Sequence, residues 1–326
     1  MTSPKQPYPT IEQVHAWLAE HHGAEIKNLA PLSGGFWSSA YAYQIGADAL
    51  VFRLSTMAEG FAIDRAAMRF NGPNLPVPTV RAVGQALGFH YAISERHYGR
   101  FIETTAASER DAVGTALATL LAALRAAPTA PEDGVVWYDQ SEAANISWHT
   151  WLTNGLKDNS ANHVSGWRAK LAEQPEIDNL FQRCEARIHE LLPACPERRD
   201  LVHGDLLHQN VLVAEDVGEV TAVFSWKCSA LGDFLYDVAW CTFWSDWHPG
   251  IAAANIWQRT LAAPDLTPAD LENAALRHHC YELQIGASHL GWNAWTNNQK
   301  ELEAVASKLK LTMLSVERQG RRSASY

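Results

Sequence analysis

A chain of 326 residues, 47% hydrophobic and 19% charged, is long enough to bury one large core or two lobes. Its formal net charge of -10 argues against a general nucleic-acid binder, which presents a basic face, and favours a small cationic partner. The opening "MTSPKQPYPTIEQ" has no apolar signal core, no apolar run is long enough to cross a membrane, and five scattered cysteines without a CxxC pair read as reduced thiols. A cytoplasmic monomer without nucleic-acid or membrane partners is expected.

"TIEQVHAWLAEHHG" predicts an amphipathic opening helix, with Thr10 as its cap and Gly23 as its stop. "YAYQIG" and "ALVFRLS" follow as two short runs of aromatic and branched residues and predict an antiparallel pair. "GFAIDRAAMRF" suits a helix, Pro76 and Pro78 forbid one in "LPVPTV", and "FHYAISE" predicts another strand. Beyond residue 96 the alanine- and leucine-rich "SERDAVGTALATLLAALRAAP" predicts a long helix capped by Ser108. A loop-rich stretch over 128–165 interleaves Trp137, Trp148 and Trp151, which serve either as packing anchors or as pocket walls. Apolar helical periodicity returns around 177–192 and 268–318, with strands near 210–226.

The chemistry concentrates in "LVHGDLLHQNVLV", where Asp205 and Asn210 stand five residues apart in a polar loop just before a strand. Phosphoryl transfer asks little covalent work of a protein, but it needs a carboxylate to orient the acceptor hydroxyl and ligands to place Mg²⁺ on the phosphates, and this pair offers both. Alone, such a pair more often caps a turn. A second strand, "VTAVFSW", follows a turn at Gly218, and then comes Gly232-Asp233. In "LSGGFWSS", Gly34 and Gly35 allow backbone amides close to a phosphate and Ser33, Ser38 and Ser39 offer hydroxyls, although a glycine pair by itself marks an ordinary hairpin turn.

In order and spacing, "LSGGFWSSAYAYQIG", "LVFRLS", "EGFAIDRAAMRF", "LPVPTVRAVG", "YAISERHYG", "LVHGDLLHQNVL", "AVFSW" and "GDFLYDVAW" resemble the aminoglycoside phosphotransferase family, small-molecule kinases with a protein-kinase-like fold. Within that family the chain is most similar to the hygromycin B phosphotransferases. The resemblance implies an α+β, bilobal fold: an antiparallel-sheet N-terminal lobe over 1–95 that binds nucleotide, and a mostly helical C-terminal lobe over 96–326 with the catalytic loop and acceptor site. It implies ATP or GTP with Mg²⁺ as cofactors, Asp205 as the catalytic group on the attacking hydroxyl, and Asn210 as a metal ligand. Arg53 would hold the nucleotide phosphates, paired with Asp64 on the following helix, under a loop containing Ser33, Gly34, Gly35 and Ser38. The backbone at Ser94 and Glu95 would hold the adenine.

One position departs from the family pattern. Ser225 stands where an aspartate would be the principal metal ligand, and a neutral hydroxyl is a poor ligand for magnesium. Asp233 is a possible substitute, as is Lys227, which shares a side with Ser225 if "FSWK" is extended. For the acceptor, Asp133, Asp139, Glu142, Asp158, Asp246 and Glu282 together with Trp148, Trp151, Trp244, Trp247, Trp292 and Trp295 suit a polyamine sugar by charge and aromatic faces. The chain is therefore expected to be an ATP-dependent O-phosphotransferase acting on a small cationic hydroxylated substrate of the hygromycin B type, impaired at the metal by Ser225. The alternatives are a nucleotide-binding pseudokinase without transfer, or a kinase for choline, a macrolide or a sugar alcohol. His248, His278 and His279 have no metal-ligand spacing and do not support a metal hydrolase.

Overall fold

The structure is a computed structural model that describes residues 8–32, 35–130, 132–139, 141 and 144–323, with side chains described as far as residue 314. The chain forms two compact units, one of residues 1–104 with 205–228 and one of residues 105–204 with 229–326. The sequence-based division was 1–95 and 96–326; here the segment 205–228 groups with the sheet.

The first unit opens with α1 (Ile11–His22). Thr10 and Gln13 form a reciprocal capping box, and Gly23 closes the helix at φ +59°. Strands β1 (Lys27–Leu32), β2 (Ser38–Ile45), β3 (Asp48–Ser55), β4 (Val80–Ala86) and β5 (Phe89–Glu95) form one antiparallel sheet in the order β1-β2-β3-β5-β4, with α2 (Glu59–Ala67) between β3 and β4. The predicted β2–β3 hairpin and β5 are present, whereas β1, almost wholly exposed, and β4, partly exposed, were not anticipated. Val14 and Leu18 of α1 pack with Tyr43, Phe52, Leu54 and Ile93 on one face of the sheet. A smaller sheet joins β6 (Arg100–Phe101), β8 (Val211–Val213) and β9 (Val220–Val223).

The second unit is mostly helical: α3 (Arg110–Arg125), α4 (Trp148–Asn154), α5 (Trp167–Ala172), α6 (Pro175–Leu191), α7 (Leu235–Trp244), α8 (Pro249–Ala254), α9 (Ile256–Leu261), α10 (Ala274–Thr296) and α11 (Gln299–Ser323), with one two-stranded sheet of β7 (Asp200–Val202) and β10 (Ala230–Gly232). The α+β expectation holds. Ser108 is not the cap of α3: a 3₁₀ turn over Ala107–Glu109 leads into the helix, and the Glu109 carboxylate accepts the Ala106 N–H instead. Trp137 and Trp148 are packing anchors, both fully buried. Trp148 stacks on Trp151 at 4.8 Å, and a Cβ at Gly232 would fall 2.3 Å from the Trp148 ring.

Several acidic residues suggested for the acceptor site have structural work in this unit. Asp158 accepts the Gly166 and Arg168 N–H groups, and Asp133 accepts the Ala130 N–H. Glu142 lies outside the described residues. Glu282 is held by Thr242 Oγ1 at 2.9 Å, and the same hydroxyl lies 2.8 Å from His278 Nε2. Burial pushes the Glu282 carboxyl up to about 7 and the His278 and His279 rings down to about 4.

A carboxyl whose folded-state pKa is raised binds its proton more tightly in the folded chain, so it costs stability as pH rises from the unfolded value to the folded one. Glu282→Gln, which mimics the protonated acid, should match the wild type near pH 4.5. It should become more stable as pH rises and level off above about 7, at a gain of about 3 kcal/mol. Denaturant unfolding across that range measures this; a difference that does not change with pH would show that Glu282 ionises as freely folded as unfolded.

Candidate active site

A cleft of about 360 Å³ lies within the first unit, lined by residues of the five-stranded sheet, of the 205–210 loop and of the segment after β9. Arg53 reaches it from the middle of β3, where its neighbours across the sheet are Ala40 and Ala92. Small residues on both flanking strands leave the long side chain room to extend over them. Arg53 Nη1 lies 2.7 Å from Asp64 Oδ2, and its guanidinium lies 5.0 Å over the Phe61 ring. Its Nε is buried and meets no hydrogen-bond acceptor. A buried charged donor left without a partner is costly, and an anionic oxygen in the cleft would satisfy it.

Asp64, 6% exposed on α2, does more than pair with Arg53. Its second oxygen accepts the Trp226 N–H at 3.0 Å. One carboxylate thus joins strand β3 to the turn that begins at Ser225. Ser225 itself lines the cleft with φ +71°, in the left-handed region that aspartate and asparagine enter more readily than serine. After Val223 the chain leaves the strand, and Trp226–Cys228 form a 3₁₀ turn. "FSWK" is therefore not extended, which removes the strand alternation that would put Lys227 beside Ser225; the half-exposed Lys227 pairs with Glu59 at 3.0 Å and lines, with Ser225 and Arg53, a small pocket. Asp233 does not replace it either. Its fully buried carboxylate takes two hydrogen bonds from Arg277, at 2.7 and 2.6 Å, and a third from Tyr281, at 2.7 Å, inside the helical unit.

The 205–210 loop carries the remaining polar groups. Gly204, at φ +74°, provides the sharp bend before Asp205. Both Gly204 N–H and His203 N–H are received by the buried Asp237 carboxylate, at 2.8 and 2.7 Å. The Asn210 Nδ2 donates to the Asp205 carbonyl and carboxylate and to the Leu207 carbonyl. All three bonds use the nitrogen, which leaves Oδ1 as the atom able to ligate a cation. Asn210 Oδ1 and the Ser225 hydroxyl, on the turn after β9, offer two neutral oxygens beside the Asp205 carboxylate for a magnesium that also takes phosphate oxygens and water. His208 and Gln209 both adopt positive φ, and the Gln209 N–H donates to Glu103, whose carboxyl is pushed up by burial.

Gly35, Ser38, Arg53, Asp64, Ser94, Glu95, Asn210 and Ser225 all line the cleft. Asp205 adjoins it through Asn210, and Ser33 and Gly34 lie outside the described residues. Ser94 and Glu95 sit on a strand paired on both sides, and the Glu95 N–H is taken by the Thr79 carbonyl at 2.9 Å, which removes that donor from the edge expected to meet a base. Glu103, His208 and Asp237 were missed. The spacing of Asp237, four residues after Asp233 and at the start of a buried helix, was the available signal for it.

The chain belongs to the phosphotransferase enzyme family, whose model matches residues 28–271. Among characterised proteins it is similar to hygromycin-B 4-O-kinase of Escherichia coli, 29% identical over 248 residues, which are 74% of this chain and 70% of that one. Among solved structures it is similar to a thermostable mutant of aminoglycoside phosphotransferase APH(4)-Ia in ternary complex with AMP-PNP and hygromycin B, at a TM-score of 0.78 and 25% identity, covering 92% of this chain and 97% of that one. Spectinomycin phosphotransferase APH(9)-Ia, in complex with ADP and spectinomycin, shares the fold at a TM-score of 0.58 and 15% identity, over 94% of each chain. The protein-kinase-like fold and the enzyme class expected from the sequence are thereby borne out.

Asp64→Ala leaves a largely buried Arg53 without its carboxylate and a buried Trp226 N–H without its acceptor, and should cost about 3 kcal/mol by denaturant unfolding. Asp64→Asn, which keeps an acceptor for Trp226, should cost less. A loss from Asp64→Ala below about 1 kcal/mol, the range of exposed pairs, would show that the pair is solvated.

Proposed function

We propose that this protein is an ATP-dependent O-phosphotransferase that modifies a hydroxyl of a hygromycin-type aminoglycoside. The observation that carries the reading is the pairing, around one cleft, of an arginine with an unmet buried donor and an Asp205–Asn210 pair whose amide is turned to leave Oδ1 available. In this reading Arg53 takes phosphate oxygens, with Nε and the outer guanidinium edge as donors and Asp64 fixing its orientation. The Gly35–Ser38 turn and the end of β5 border the nucleotide. Asp205 receives the proton of the acceptor hydroxyl as its oxygen bonds to the γ-phosphorus. The bond from that phosphorus to the β,γ-bridging oxygen breaks, and ADP leaves with the electron pair.

Asn210 and Ser225 would hold magnesium, which supplies charge neutralisation on the phosphates. The acceptor class rests on likeness to hygromycin-B 4-O-kinase and on the net charge of -10, which favours a polyamine sugar. A second reading, a nucleotide-binding pseudokinase, draws on Ser225. Among the described residues no group of three or more acidic, histidine or cysteine side chains is placed to hold a metal.

Incubating hygromycin B with the protein, ATP and Mg²⁺ should give a product heavier by one phosphoryl group on mass spectrometry. No product in a sample shown to bind ATP would favour the pseudokinase or another acceptor. Asp205→Asn should lower kcat by about 10²–10⁴-fold, the usual worth of a positioned proton acceptor, while leaving ATP binding near the wild-type value. Unchanged turnover would remove Asp205 from that role.

Ser225→Asp places a carboxylate at a backbone angle that suits aspartate. It should tighten Mg-ATP binding and speed transfer. No change in either quantity would show that the metal is held elsewhere.

A further inference from the structure

The Asp205 carboxylate has a second side chain on it. His208 Nδ1 lies 2.7 Å from Asp205 Oδ1, while Asn210 Nδ2 lies 2.9 Å from Oδ2, so each oxygen meets its own donor. An ionised carboxylate only accepts, so Nδ1 is the ring nitrogen that donates to it. The contact is built at a cost in backbone conformation. His208 and Gln209 are consecutive non-glycine residues at φ +74° and +66°, and a left-handed residue costs about 1–2 kcal/mol.

Neighbouring hydrogen bonds hold this bend. Gln209 N–H donates to Glu103, and Asn210 Nδ2 donates to the carbonyls of Asp205 and Leu207. Histidine, with asparagine and aspartate, is one of the residues that tolerate such a φ. The bend brings a side chain three residues downstream back onto Asp205 without a helix.

We propose that His208 is a positioning residue for the transfer step, its Nδ1–H fixing the Asp205 carboxylate so that a remaining lone pair meets the acceptor hydroxyl. The inference rests on the reading of Asp205 as the group that takes the hydroxyl proton. It also follows from Ser225. Without an aspartate there, Asp205 is the carboxylate hydrogen-bonded to Asn210, and a divalent cation at Asn210 Oδ1 would draw it away from the hydroxyl. A donor on each oxygen opposes that rotation, and a displacement of about 1 Å at a reacting group is worth up to about 10²-fold in rate.

Glycine is the informative replacement, because it keeps the positive φ and removes the donor, whereas alanine would add strain of its own. His208→Gly should lower kcat about 10- to 100-fold, with the KM values for ATP and acceptor within about twofold of wild type. His208→Asn, which tolerates the same backbone and supplies an amide donor, should recover most of the loss. In an Asp205→Asn background, His208→Gly should have almost no further effect, since residues acting through one another are not additive. Long-range ¹H–¹⁵N correlation on histidine-labelled protein should show the Nδ1–H tautomer for His208 whether or not the acceptor is right.

Wild-type kcat in His208→Gly, equal losses in the glycine and asparagine variants, the same fold-loss in the Asp205→Asn background, or an Nε2–H tautomer in the wild type would each overturn the proposal. Wild-type turnover in Asp205→Asn alone would instead overturn the reading of Asp205 on which it rests.

Discussion

The Asp64 carboxylate is the point on which the candidate site depends. It sits on a short helix with 6% of its surface exposed, where an unpaired negative charge could not persist. Its two oxygens are divided between the Arg53 guanidinium and the Trp226 N–H. That division joins three segments distant in sequence: strand β3, helix α2 and the turn after β9. One buried charge is satisfied only when these three segments stand together. Because the Asp64 carboxylate takes up Nη1 and not Nε, the arginine keeps a donor for the cleft.

A similar device works one loop away. Asp237, buried at the start of α7, receives the two successive N–H groups that precede Asp205. Backbone donors in a tight bend have no strand partner, and a buried carboxylate supplies both acceptors at once. Gly204 makes the bend possible, so the HGD triplet is a turn whose geometry is over-determined from two sides before Asp205 is reached. Strained backbone then continues through His208 and Gln209. Residues held in sparsely populated conformations persist where surrounding contacts fix them, and they concentrate at functional sites. In this loop those contacts are with Glu103 and Asn210.

Much of this was legible in the sequence, for physical reasons that differ by element. α1 was marked at both ends by a capping box and a glycine, and β2, β3 and β5 by branched and aromatic residues at strand spacing. β1 and β4 were not, because "KNLAPL" and "VRAVGQA" are interrupted by Pro31 and Gly84 and lack a clean strand alternation, and they form strands by pairing with neighbours already in the sheet. Ser108 had the identity of a cap, but the 3₁₀ turn and Glu109 took over the start of α3, a competition that composition does not reveal. The Arg53–Asp64 pair came from resemblance, and the structure places it at 2.7 Å. Asp237 and His208 were invisible as partners because what they bind is a backbone or another loop side chain, and neither leaves a periodic trace. The alternation that would have set Lys227 beside Ser225 required an extended "FSWK", and β9 ends four residues before Lys227, at Val223.

Ser225 gathers these threads. Around it stand a left-handed φ that suits aspartate, the Trp226 N–H locked to Asp64, the arginine with its unmet donor, and Asn210 with its amide nitrogen turned to Asp205. Serine keeps an oxygen at that position but gives up a charge. Arg53 and Asp64 cancel, and both oxygens of the Asp205 carboxylate are engaged, by His208 and by Asn210, so the site has little attraction of its own for a divalent cation. Under the proposed function, magnesium there is held chiefly by the phosphates of the nucleotide that carries it, and the protein's share falls to neutral oxygens. A site of this kind is sensitive to the orientation of its remaining carboxylate, because that carboxylate is the ligand the cation would recruit next. The hydrogen bond from His208 to Asp205 has its physical purpose in that competition.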